Sequence, residues 1–116
     1  MALNWNDEEL ARGLTCYRCG EFFEAHEHWE AEWLAAAEPE KRFLQALIQT
    51  AAAFHHLSRG NAVGAASLLT RVLRKLEAYP EHFGGVDVAH LRREIEQCIA
   101  VIRGSGGQAP AAPLIR

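Results

Sequence analysis

Apolar positions recur at three- and four-residue spacings along most of the chain, which predicts helices and no strands. Leu10, Leu14 and Tyr17 mark a first helix, with Asn4 or Asn6 as its cap and Gly20 as its end. A second follows from Phe22 to about Ala37, and a third begins near Pro39, which suits a first-turn position. From Phe43 to Phe54 the third helix carries no charge and is apolar almost all round, so it is expected to be central and buried. Asn61 caps a fourth, whose stripe is Ala62, Ala66, Leu69, Leu73 and Leu76, with Arg71, Arg74, Lys75 and Glu77 on its wet side. Tyr79-Pro80 ends it. After a loop over 81–86, Asp87 caps a fifth with Val88, Leu91, Ile95, Cys98, Ile99 and Ile102 on one face. The expectation is one all-α domain of five helices over residues 1–103, and a disordered tail over 104–116 where Gly, Ser, Ala and Pro take over.

The second helix carries the chemistry. On a helical wheel Phe22, His26, Trp29 and Trp33 share a stripe, with Phe23 and Glu30 on the flank of His26 and Glu27 at the edge. Glu24, His28 and Glu32 point the other way, and His28, like His82 and His90, reads as ordinary surface. A carboxylate on an aromatic face is costly unless a polar group meets it. The third helix offers one in Gln45, Gln49 and His56, which share a stripe beside that of Leu44, Ile48, Ala51 and His55.

Composition limits the functions this cluster can serve. The 116 residues suit a single domain, and 49% apolar with 23% charged residues is ordinary for a globular protein. A net charge of -3 leaves no electrostatic footprint for nucleic acid, and no apolar run approaches a membrane span. With no basic-then-apolar start, a cytoplasmic protein is expected. Cys16 and Cys19 form a Cys-x-x-Cys pair at a helix end, Cys98 is remote, and no second pair completes a zinc set, so ordinary thiols are expected.

Three readings of the cluster follow. In the plainest, His26, Glu27, Glu30, Gln45, Gln49 and His56 form a satisfied polar network between two helices, with Trp29 and Trp33 as core. In the second, His26 and Glu30, one turn apart, bind a divalent metal with His56 or His55. However, the chain lacks the paired Glu-x-x-His of di-iron bundles, and no His-Glu-x-x-His occurs. In the third, His26, Glu27 and Glu30 provide acid–base catalysis, although Ser58, Ser67 and Thr70 match no nucleophile motif. The lead expectation is a binding or interaction module, with the fourth or fifth helix packing on a second copy as a homodimer.

The motifs also resemble a known family. Phe22-Phe23-Glu24-Ala25-His26-Glu27-x-Trp29-Glu30-x-x-Trp33 is followed by Leu44-Gln45-x-Leu47-Ile48-Gln49-x-Ala51-Ala52, His56 and Arg59-Gly60-Asn61-x-x-Gly64-Ala65. Over roughly residues 8–103 this is similar to the bacterial and archaeal family called domain of unknown function 309. The resemblance implies a small all-helical domain with no established activity. The chain departs from the family pattern at Tyr17-Arg18-Cys19-Gly20, where members often carry an asparagine, and at Ala46, where they often carry glycine.

Overall fold

A computed structural model of the chain describes residues 3–104 and 110–115. Five helices follow in order: α1 (Glu8–Arg18), α2 (Phe22–Ala35), α3 (Glu40–Ser58), α4 (Ala62–Leu76) and α5 (Val88–Gly104). As the uncharged run implies, α3 is the centre, packed against α2 on one side and α4 on the other. Phe43, Leu44, Ala46, Leu47, Thr50, Ala51 and Ala53 are all fully buried along it. Its alanines allow neighbouring helices to approach closely. Among the described residues no helix is long and apolar enough to cross a membrane.

Local chemistry sets the helix ends. The α1 cap is Asp7 rather than Asn4 or Asn6: its carboxylate accepts from the N–H groups of Glu9 and Leu10. An acceptor there satisfies donors the helix cannot pair. Asn61 accepts from Gly64 N–H, and Asp87 from His90 N–H, as the sequence predicts. Gly20 and Gly60 follow α1 and α3 with φ of 79° and 81°, where a side chain would be strained.

Two regions differ from the sequence expectation. The loop over 81–86 contains a small antiparallel hairpin of β1 (His82–Phe83) and β2 (Val86–Asp87). Its turn uses Gly84 and Gly85, both at positive φ, the conformation tight hairpins favour. Trp5 holds it by donating from its indole N–H to Gly84 C=O at 2.7 Å. The disordered tail expected over 104–116 falls partly outside the described residues, at 105–109 and 116. Gly104 is the last residue of α5, and residues 110–115 lie back against α1 and α5. Ile115 is buried, Tyr17 Oη donates to Pro113 C=O at 2.7 Å, and Leu114 N–H donates to Glu94 at 2.7 Å. Composition hides this because the anchoring comes from a single isoleucine in the segment and from side chains remote in sequence, Tyr17, Glu94 and Cys98.

Candidate functional site

The α2 helix is rolled by about one residue from the orientation its aromatic stripe suggests. Ala25 and Trp29 are fully buried and point into the fold, while His26 moves to the rim. Trp29 causes the roll. Its indole lies over Gly13 of α1, where an added Cβ would stand 2.3 Å from Nε1, and its N–H donates to Leu10 C=O at 3.2 Å. Only glycine at residue 13 leaves space for that ring. Tyr17 and Trp5 pack around it with ring centroids at 5.8 and 6.5 Å. Trp29 is therefore core. Trp33 is half-buried at the end of α2 under the Lys41 ammonium, 4.4 Å from the ring centroid.

The roll also changes the partners of α2's polar groups. His28, expected on the wet face, meets Glu9 of α1 at 2.8 Å. Glu32 faces the same seam, and its hydrogen bond with the Asp7 carboxyl raises its pKa, with burial adding to the effect.

On the opposite edge His26 Nε2 pairs with Glu30 at 3.1 Å, and the Glu30 side chain is 52% exposed. The other ring nitrogen, Nδ1, is enclosed and has no hydrogen-bond partner among the described residues. A cleft of about 170 Å³ opens here between α2 and α3, lined by Phe23, His26, Ala52, His55 and His56. The Phe23 ring stacks on His26 at 6.1 Å and tilts over His55 at 5.3 Å.

Of the expected cluster, the structure brings together His26, Glu30 and His56, at the surface rather than in the interior. Glu27 is exposed. The glutamines do not join them. Gln49 turns to α4 and accepts from Lys75 Nζ at 2.9 Å. Gln45 is half-buried on α3 and does not line the cleft. The buried network of the sequence reading is thus corrected to an open edge. The polar stripe of α3 is divided, with Gln49 turned to α4 and His56 to the cleft beside α2. Phe23, Ala52 and His55 line the cleft as well; the sequence places Phe23 only on the flank of His26 and His55 only as an alternative metal ligand. Their pairing depends on how two helices cross, which single-helix periodicity does not encode. Among the described residues no group of three or more His, Cys, Asp or Glu side chains is placed to hold a metal ion. The aromatic enclosure that an acid–base role for Glu30 would need is also missing, because half of the side chain faces water.

A much larger concavity lies elsewhere. Between α4 and α5 a groove of about 710 Å³ is lined by Ala62, Val63, Ala66 and Ile102. Ser67, Thr70, Arg71, Arg74 and Arg103 edge it. Arg71 and Arg74 project from α4 to solvent, because Ala65, Ala66, Leu69, Val72 and Leu76 occupy its inner face. None of the three guanidinium groups forms an ion pair among the described residues. Positive potential on this side extends to Lys75, whose pKa is lowered by burial and then by Arg42 and Arg71.

Residues 10–68 match the family model described as Domain of unknown function (DUF309), just over half of the chain. The chain belongs to this family. The DUF309 match runs from α1 into α4, so it contains the whole histidine cleft and only part of the groove. A curated relative from Aquifex aeolicus (strain VF5), described as an uncharacterized protein, is 28% identical over 93 residues. The aligned region covers 79% of this chain and 28% of that relative's length.

The three cysteines are free thiols. Burial pushes Cys98 up to about 11, and it raises Cys16 as well, with Glu21 and Glu24 adding to it. Thiols raised in this way are poor nucleophiles.

Proposed function

We propose that this DUF309 protein is a binding module whose partner lies along the groove between α4 and α5. The supporting observation is the composition of that groove. It combines an apolar floor with three arginines that form no ion pair among the described residues. Guanidinium groups free of internal partners are poised for carboxylates supplied from outside. A groove flanked by two helices accepts a third helix laid along it, with small apolar anchors below and charged groups at the rim. The partner this chemistry selects is therefore an amphipathic helix with an acidic face. A cytosolic setting is part of the reading, since Cys16, Cys19 and Cys98 are free thiols.

The experiment is titration of a fluorescent acidic amphipathic helical peptide into the protein at low and high salt. Binding is expected to weaken at least tenfold as salt rises. It is also expected to weaken by a similar factor in the Arg71→Glu/Arg74→Glu variant, since like charges now face each other. Equal affinity in the wild type and the charge-reversed variant would sink the reading.

A further inference from the structure

The geometry points to a specific occupant for the groove: the outer face of α2 from a second copy, giving head-to-tail association of the chain. This inference rests on the groove being the binding surface. Opposite the buried Ala25 and Trp29, α2 presents Phe23, Glu27, Glu30 and Leu34, spaced i, i+4, i+7 and i+11 on one stripe. Phe23 is 46% exposed and Leu34 is 70% exposed. The ridge is therefore a pair of apolar anchors with carboxylates between them and Glu24 alongside. That is the pattern the groove selects.

The two surfaces also match in length. Val63, which is 84% exposed, and Arg74 are eleven residues apart on α4, like Phe23 and Leu34 on α2; each span is about 16 Å. Laid antiparallel, Leu34 meets Val63, Glu27 reaches Arg71 and Glu24 reaches Arg74. Glu30 then lies toward Arg103. The antiparallel direction also sets the two helix dipoles in opposition. Within one copy the surfaces cannot meet, because α3 stands between α2 and α4. Two grooves face to face would oppose arginine to arginine, and two ridges would oppose glutamate to glutamate. Only ridge on groove places opposite charges together. Such an interface joins different patches, so it closes into a ring or extends.

The test uses sedimentation of three full-length proteins at roughly 10–500 µM, a range suited to an interface at the small end of the size scale. In the wild type, average mass is expected to rise with concentration and fall with added salt. The ridge-reversed variant, Glu27→Lys/Glu30→Lys, and the groove-reversed variant, Arg71→Glu/Arg74→Glu, are each expected to remain monomeric. Mixed, they are expected to associate, because the native ridge of one meets the native groove of the other, and the reversed ridge and reversed groove again face each other with opposite charges. A wild type that stays monomeric, or variants that fail to combine, overturns the inference. So does equal loss of association in Glu96→Lys, an exposed carboxylate on α5 away from the ridge. The acidic peptide titrated into the ridge-reversed variant separates the two levels: binding there with a monomeric wild type removes only the self-association, and no binding removes the groove as well. If circular dichroism shows a reversed variant unfolded, Glu27→Gln and Arg71→Gln replace it, with a several-fold loss of association expected from each.

Discussion

The two sides of α2 come from the same dozen residues and behave as different materials. Toward α1 the helix is dry at its middle, where Trp29 fills the space that Gly13 leaves, Tyr17 closes over it and ring packs on ring, with the His28–Glu9 pair at the margin. Away from α1 it is wet: His26 and Glu30 pair at the rim, Phe23 covers part of a small cleft, and Leu34 is largely in water. The two sides are separated by about half a turn of rotation, with Trp29 setting the angle. The comparison teaches that a dense sequence motif can be mostly structural. Its tryptophan and alanine fix the packing, and its polar residues occupy the edges that packing leaves over.

The largest effect expected from this comparison is at the dry seam. Trp29→Ala removes a fully buried indole and should cost about 3–5 kcal/mol in denaturant unfolding. Gly13→Ala tests the same contact from the other side. Its new Cβ meets the ring, so a loss of about 1–3 kcal/mol is expected, although alanine is the better helix former. If Gly13→Ala were neutral or stabilising, Trp29 would not be the wedge that sets the roll of α2.

Next in size is the clamp that holds the C-terminal segment to the dry side. Tyr17 is buried, its phenol pKa is pushed up by burial, and its hydroxyl donates to Pro113 C=O at 2.7 Å. Tyr17→Phe should cost about 1 kcal/mol, read by the same unfolding experiment, because a buried carbonyl loses its donor. Hydrogen exchange should rise at Leu114, whose N–H is held by Glu94 in the same segment. Unchanged stability and exchange would detach the tail from the seam.

The sequence makes the elements legible where a single helix carries the information. The uncharged run of α3, the caps at Asn61 and Asp87, and the glycine stops all follow from local pattern and hold in the structure. What depends on two elements at once is not legible. Adjacency of α2 and α3 in sequence suggests that the glutamine stripe meets His26, yet Gln49 serves Lys75 on α4. The short hairpin escapes because two residues per strand give no alternation to detect. The α4–α5 groove escapes for another reason. Arg71 and Arg74 read as ordinary solvated charges, and only the approach of Ile102 and Arg103 from α5 makes a concavity of them.

The smallest effect is expected where the motif looks most chemical. Glu30→Gln removes the charge from the pair with His26, and a buried network would respond with a loss of one to several kcal/mol. Here the carboxylate is half in water, so the pair is screened and both side chains lose entropy to form it. The unfolding free energy should therefore stay within about 0.5 kcal/mol of the wild type at neutral pH. Added salt should shrink even that difference, since screening acts on exposed pairs first. A loss near that of Tyr17→Phe would mean that the wet side of α2 is coupled to its dry side. The enclosed Nδ1 of His26, without a hydrogen-bond partner among the described residues, is where that coupling would enter, because a change of imidazole tautomer when Glu30 is lost would be felt at the buried nitrogen.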